Sequence, residues 1–449
     1  MSLTADATLV LENGLILRDP STGEVEVNER IIISEGAITK ADSLDGWPLF
    51  SGQIIDCSNC LIMPGLVNCH VHSAMSVFRG LADDLPLDMW LNELIFPCEA
   101  KHVSREMVRL GSTLSIAEMA LSGITTSSDA YFFMEESALA AMDIGLRSVV
   151  GQGILDIPSP DTMAYGSWQE RVHQFFESIP SCPTISPTLF CHSPYLCKAS
   201  TFHEASAICK SHGAKLGAHV AETMRENQLI RARHGVSPVE LLQSIGVLDN
   251  SFVAVHCVHL TGKDMEILRD AHVSVVHCPE SNMKLASGAA RIKDLLKMGL
   301  TVGLGTDSPA SNNNLDLFEE MRSASLLAKL VSSDPEALNA KEALTMATIG
   351  GAMALGLDGI IGTLTPGKQA DIIVIDMNQP HFQPLYNPIS QLVYCARGCD
   401  VRDVIVAGRQ IVRDRKLCSS SYDDARVQIL KLAKKIAFDA GRTIFLTQG

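Results

Sequence analysis

The 449 residues predict an α/β protein, a (β/α)8 TIM-type barrel carrying a small β-sandwich domain formed by both chain termini. Three observations predict it. Short apolar strands alternate with longer helical segments through the middle of the chain. Eight such strands can be counted there, and polar residues follow them at their C-terminal ends. Both ends of the chain are instead β-rich, with tight-turn signals between short apolar runs.

Taken in order, the first run is Thr8-Leu9-Val10-Leu11, then Asn13-Gly14, then Leu15-Ile16-Leu17. It reads as a hairpin, because Asn-Gly accepts the positive φ angles of a two-residue turn. Arg30-Ile31-Ile32-Ile33 and Ala37-Ile38-Thr39 give further strands around Gly36. Barrel strands are predicted near 61–70, 124–129, 147–155, 185–191, 215–220, 252–257, 273–278 and 301–306, with helices over 104–121 and 316–330 among the connections. Periodicity alone leaves a doubly wound sheet open. Beyond the barrel, Asp371–Asp376 reads as a buried strand, and Val404-Ile405-Val406 with Gln410-Ile411-Val412 as a hairpin about Gly408. Ile429, Leu432, Ala433 and Ile436 fall at helical spacing in a closing helix over 422–440. The expected domains are 1–63 and 367–449 for the sandwich with its helix, and 64–366 for the barrel.

Composition narrows the function. A chain of this length that is 46% hydrophobic can bury a large core. Its net charge of −15, with no Lys/Arg cluster, argues against a nucleic-acid partner. The 13 cysteines are odd in number and scattered, which suits reduced packing thiols. Cys57-Ser58-Asn59-Cys60 has no second pair at zinc-ribbon spacing, and Cys191 and Cys197 flank a candidate site residue without a nearby base. No apolar stretch approaches the roughly 20 residues that span a bilayer, and the first residues lack a basic region followed by an apolar run. The expectation is a cytoplasmic protein with no membrane partner.

The strand ends carry the chemistry. His70 and His72 stand two apart on an extended backbone and point the same way, like two arms of a chelate. His219 ends another strand, and Glu222 follows three residues later at the mouth of the barrel. Phe252-Val253-Ala254-Val255 ends in His256, and Val302-Gly303-Leu304-Gly305-Thr306 ends in Asp307. Three imidazoles and one carboxylate form a set suited to Zn²⁺, with Fe²⁺ the other candidate, and leave one position for water. Glu222 can sit beside the metal as an acid/base. Each residue also has an ordinary reading: His219 and His256 as satisfied core histidines, Asp307 as a helix cap, Glu222 as a solvated carboxylate. Those readings do not survive jointly on one barrel rim. His102, His173, His203, His212, His234, His272 and His381 lack that placement, and His259 and His277 read as supporting residues.

The stretches PGLVNCHVH, HVAET, HCVHL, HCPESN and GTDSPASNN resemble the amidohydrolase superfamily, in motif order, over about residues 8–415. More narrowly, FRGLADDLPLDMWL, HSPYLC and HCPESNMKLASG are similar to bacterial 5′-methylthioadenosine/S-adenosylhomocysteine deaminases. The resemblance implies a single divalent metal held by His70, His72, His219 and Asp307. It makes Glu222 the proton shuttle and His256 the residue that polarises the attacking water, with Asp307 helping to take its proton. The implied reaction is hydrolytic deamination of an adenine ring, in which water adds at C6, Glu222 protonates N1 and ammonia leaves. Glu99 matches the acceptor of the ribose hydroxyls, as a carboxylate suits a vicinal diol. His192 matches a contact to the base, Trp90 an aromatic near the 5′ substituent, and Ser311 the pocket floor. Two departures concern the amino-acid tail of S-adenosylhomocysteine. Thr184 stands where the family often has an arginine, and none is evident in the loop after Asp156; Arg171 lies too far along. The expected preference is for methylthioadenosine or adenosine.

Other readings remain at this stage. One is a free-base deaminase for guanine or cytosine, or a triazine hydrolase. Another is a non-catalytic, metal-stabilised scaffold. Two-metal hydantoinase chemistry lacks its bridging lysine, and the His-x-Glu…Pro-Cys-x-x-Cys signature of cytidine deaminases is absent. The expected partner is a small nucleoside, and self-association is open because no exposed stripe selects a face.

Overall fold

The computed structural model describes residues 9–39, 52–85 and 89–445. Its centre is a parallel barrel of eight strands: β1 (Leu66–Val71), β2 (Ile124–Tyr131), β3 (Arg147–Ile154), β4 (Ile185–Cys191), β5 (Leu216–Val220), β6 (Phe252–His256), β7 (Ser274–His277) and β8 (Val302–Leu304). Each is paired with the next in sequence. Apart from Ser186 and Pro187 near the start of β4, the strands are largely buried along both faces, which is why they read as continuous apolar runs rather than alternating ones.

The barrel closes at a narrow seam between β1 and β8. Val71 bridges Asp307 in parallel, and Asp307 N donates to His70 O at 2.9 Å. Asn68 ties the seam with its side chain, donating through Nδ2 to Thr306 Oγ1 at 2.8 Å and accepting from Thr306 N at 3.1 Å. Gly305 permits the approach, since a Cβ there would lie 2.9 Å from His70 Cβ.

The expected strand over 61–70 is two strands. Cys60–Pro64 belongs to a six-stranded outer sheet, and β1 begins at Leu66 after a break at Gly65. A Cβ on Gly65 would sit 2.1 Å from Thr125 Oγ1, so the bend needs glycine. Because both segments are fully buried, the apolar run carries no sign of the change of sheet.

The outer sheets come from both ends of the chain. One contains Leu9–Glu12, Arg30–Ser34, Ala37–Ile38 and Gln53–Asp56; the other joins Leu15–Ile16 and Cys60–Pro64 to Ile372–Asp376, Val401–Val406, Arg409–Arg413 and Lys416–Leu417. A shared apolar layer including Leu11, Ile33, Ile62, Ile372 and Ile405 lies in them. The hairpins about Gly36 and Gly408 form as expected. The hairpin about Asn13-Gly14 does not. Leu9–Glu12 pairs with Arg30–Ser34 and Gln53–Asp56, whereas Leu15–Ile16 pairs with Cys60–Pro64. Asn13 does take the positive φ, 67°, that its sequence favours, but the turn carries the chain from one sheet to the other. Thr8 lies outside the described residues.

The helices over Arg105–Leu121 and Leu317–Ser332 form close to the expected bounds. The closing helix Ser421–Asp439 packs on Arg105–Leu121, so it is fastened to the barrel. Lys101 reinforces this contact with an ion pair to Asp439 at 2.8 Å. All 13 cysteines are free thiols. No helix among the described residues is long and apolar enough to cross a membrane.

Candidate active site

The C-terminal strand ends converge on one pocket, lined by His72, His192, His219, Glu222, His256 and Asp307, with Trp90, Glu99 and Ser311 among its other walls. Every residue expected in the site reaches it except His70, which lies directly behind. Its Nε2 is 3.2 Å from His219 Nε2 and 3.3 Å from Asp307 Oδ1. His72 Nε2 is 3.4 Å from the same oxygen. Four donor atoms, from His70, His219, His256 and Asp307, lie within 4.8 Å of one another.

These spacings fit a metal. Donors held at Zn–N and Zn–O distances in a tetrahedron stand about 3.3 Å apart. Burial pushes His70 down to about 4 and His219 well below the usual histidine range, so both rings are neutral and offer lone pairs. Two neutral imidazole nitrogens facing each other beside a carboxylate make sense around a cation. His72 Nδ1 is 2.5 Å from Ala130 O, to which it donates, leaving Nε2 as the lone-pair atom on the pocket side.

Asp307 is set by its two oxygens. Oδ1 meets the histidines, while Oδ2 accepts from Ser281 Oγ at 2.6 Å and Ser311 Oγ at 3.1 Å. Burial by itself would raise its pKa, but the imidazoles gathered about it, His70 first, outweigh burial and hold it well below the usual carboxylate range, so Asp307 is the ionised partner of these rings. Ser311 therefore braces Asp307 as well as lining the pocket. Asp307 and His256 also occupy the left-handed backbone region, with φ of 59° and 73°, conformations that cost roughly 1–3 kcal/mol each and turn their side chains across the rim.

His256 differs from the other rings. Asn282 Nδ2 donates to its Nδ1 at 3.0 Å, which puts the proton of the neutral ring on Nε2, 3.9 Å from Glu222 Oε2. Burial raises Glu222 to about 8, with Asp307 adding to the shift, so it holds a proton at neutral pH. Glu226 accepts from the backbone N–H groups of Ala221 and Glu222 and fixes that turn. His192, pushed down to about 3 by burial, stands with its ring 5.0 Å from His219. Phe190 stacks beneath His70 at 5.3 Å and closes the floor.

Glu99 enters from the other side. A π-helical turn, Trp90–Ile95, runs into the helix Phe96–His102 and buries both Trp90 and Glu99 against the pocket. Glu99 Oε1 accepts from Tyr131 Oη at 2.6 Å. Met75, Leu91, Ile95, Leu155 and Leu285 make the remaining wall apolar.

Thr184 has no part in this pocket. It precedes Ile185 at the N-terminal end of β4, with the length of a seven-residue strand between it and His192, about 23 Å. An arginine at 184 would face the wrong end of the barrel. Arg171 is buried, ion-paired to Glu135 and, at 3.1 Å, to Asp161. His259 and His277 are supporting residues: His259 Nε2 meets Ser287 O at 2.7 Å, and His277 O accepts from Gly305 N at 2.9 Å. Asp129 accepts from Ser73 N and Ser137 Oγ and does not line the pocket.

Sequence reasoning missed Ser281, Asn282 and Tyr131. The first two stand in the HCPESN stretch at the end of β7, directly after a noticed histidine, but neither titrates nor ligates on its own. Tyr131 lies two residues beyond the strand expected over 124–129, which in the structure extends to Ile124–Tyr131.

A family model described as "Amidohydrolase family" matches residues 61–411. A 5-methylthioadenosine/S-adenosylhomocysteine deaminase of Syntrophobacter fumaroxidans is 42% identical over 433 residues, covering 96% of this chain and 98% of that one. A 5′-deoxyadenosine deaminase of Methanothermobacter thermautotrophicus is 42% identical over 369 residues, covering 81% and 84%. Among solved structures, an adenosine deaminase from Xanthomonas campestris with bound zinc superposes with a TM-score of 0.91 at 34% identity, covering 96% of this chain and 99% of that one.

Proposed function

The chain belongs to the amidohydrolase family, and on that premise we propose that it deaminates an adenine nucleoside by metal-dependent hydrolysis, giving the inosine-type product and ammonia. One observation carries the reading. A protonated, part-buried carboxylate, Glu222, stands beside the cluster of His70, His72, His219 and Asp307 in a pocket that also buries a second carboxylate, Glu99. A free base has no vicinal hydroxyl pair to offer Glu99; a ribose does.

His70, His72, His219 and Asp307 would hold one divalent metal, Zn²⁺ in preference to Fe²⁺ given the three-nitrogen, one-oxygen set. When bound, the metal supplies the acidity that makes water a nucleophile at neutral pH, lowering its pKa from about 15.7 to roughly 7. The chain's own residues do the rest. Glu222 delivers its proton to N1 of the ring as C6 is attacked, which drains charge from the purine. His256 donates through Nε2 to the attacking water, and this role, rather than ligation, suits a ring whose Nδ1 already accepts from Asn282. Asp307 takes the water's proton and passes it to the departing amino group, which leaves as ammonia, while the new C6 hydroxyl returns a proton to Glu222 as the carbonyl forms. His192 meets the base, Glu99 accepts from the ribose hydroxyls, and Trp90 packs toward the 5′ group. We take the sandwich as 1–63 with 367–449 and the barrel as 64–366. The partner this reading names is the small nucleoside.

Two measurements test this. Metal analysis of the purified protein should find close to one equivalent, and the adenine-to-hypoxanthine absorbance change should appear with adenosine and methylthioadenosine. Metal without turnover of any adenine nucleoside would sink the proposal in favour of a scaffold; turnover of guanine, cytosine or a triazine in its place would favour the sister reactions. The 5′ series carries a finer expectation. The apolar wall of Met75, Leu91, Ile95 and Leu155 accepts a methylthio or methyl group but gives a zwitterionic tail no bidentate partner. S-adenosylhomocysteine should therefore show kcat/KM lower by roughly tenfold or more, the worth of one lost charge-assisted hydrogen bond. Equal values across the series would overturn it.

A further inference from the structure

Ala130 and Tyr131 are consecutive at the end of β2, and each holds a different part of the site. Ala130 O accepts from His72 Nδ1, on the metal side. Tyr131 Oη donates to Glu99 Oε1, on the sugar side. Among the described residues this is the one hydrogen bond recorded for the Glu99 side chain, so one oxygen is fixed and the other is left to accept. We propose that Tyr131 is a positioning residue that fixes Glu99 relative to the metal-binding histidines, so that the pocket selects substrates whose reacting base carries a sugar with a vicinal diol. The inference rests on the nucleoside reading above.

The physical case has three parts. Tyr131 is buried and its hydroxyl is held far above the usual phenol range by burial and by Glu99, so it remains a donor at every working pH. Its ring packs on Phe132 at 4.8 Å between centroids, which removes the freedom to swing away. Finally, the two contacts leave from adjacent residues of one strand, so the metal arm and the sugar arm share a rigid base. A carboxylate with only its own helix to hold it would sample several rotamers and bind a diol at an entropic cost.

Protonation provides a second readout. Burial raises Glu99 to about 7, against the lowering effect of the Tyr131 hydrogen bond. The other titratable groups around it are Cys98, Lys101 and His102 on its own helix, Asp439 paired with Lys101, Glu93 on the preceding exposed turn, and His72 and His192 across the pocket. Removing the phenolic donor leaves burial in command, so the carboxylate would protonate at higher pH.

Tyr131→Phe keeps the ring and deletes the donor. Wild type is assayed first with adenosine; if it shows no turnover, the nucleoside reading itself fails and Tyr131 is not at issue. With turnover established, the variant is compared on adenosine and 2′,3′-dideoxyadenosine, with metal content checked. The expected result is a KM for adenosine raised about 5- to 30-fold with kcat little changed, little change for the dideoxy substrate, and an acid limb of kcat/KM moved to higher pH. Equal losses on both substrates, or an unmoved acid limb, would overturn the proposal. If Tyr131→Phe expresses poorly, Phe132→Leu, which removes the ring that Tyr131 packs on and leaves its hydroxyl in place, is compared on the same two substrates: a KM rise confined to adenosine supports the positioning role, and equal rises on both count against it.

Discussion

Replacing Glu222 by Gln should lower kcat by about 10²–10⁴-fold while leaving metal content and substrate binding largely in place. The amide keeps the size of the side chain but has no proton to give N1 and take back. Because the carboxyl is raised to about 8 mainly by burial, it is the acid form that works at neutral pH. The sign follows: activity that depends on protonated Glu222 is full below its pKa and falls as pH rises through it. Wild-type kcat should therefore decline on the alkaline side, and the Gln variant should have lost that limb along with its rate. Steady-state kinetics over pH with metal analysis of both proteins checks this. A Glu222→Gln enzyme within tenfold of wild type would remove Glu222 from the chemistry.

The second large effect is at Glu99. Glu99→Ala should lower kcat/KM for adenosine by roughly 10²–10⁴-fold, as two charge-assisted hydrogen bonds to a diol are lost at about 1.5–3 kcal/mol each. The same change should do far less to any turnover of free adenine, which has no diol. Wild-type kcat/KM should also fall as pH drops below about 7, where Glu99 takes up its proton and can no longer accept twice. Parallel losses on nucleoside and free base would show that Glu99 supports the fold rather than the sugar.

Much of this site is legible in the chain because strand-end residues must point where the barrel points them. His70, His72, His219, His256 and Asp307 each follow an apolar run, and the fold alone brings them within a few ångströms. Glu222 is legible for the same reason, through its spacing from His219. What stays hidden is whatever depends on two segments meeting. Ser281, Asn282 and Tyr131 matter through their partners, Asp307, His256 and Glu99, far off in sequence. Thr184 misled because a sequence offset from His192 was taken to mark a position facing the pocket, although the strand Ile185–Cys191 carries the chain straight away from it. The Asn13-Gly14 turn misled in a related way: its local geometry is right, while the pairing on either side is decided by Arg30–Ser34 and Cys60–Pro64. The break at Gly65 has no polar marker because both neighbouring strands are buried.

The seam between β1 and β8 has a consequence for how the protein comes into being. Asn68 and Thr306 are 238 residues apart, and the flanking His70 and Asp307 are close to the first and last barrel-strand residues that a ribosome delivers. A nascent chain can display the His70/His72 arm early, but the acceptor that completes the grip arrives last. Metal capture thus reports that the whole ring has been assembled, and a chain truncated before Asp307 has only a partial hold. The reverse also applies. Since β8 is three residues long and fastened at its ligand-bearing end, prying that strand loose and emptying the centre are a single event, so loaded enzyme should resist proteolysis at this join better than stripped enzyme.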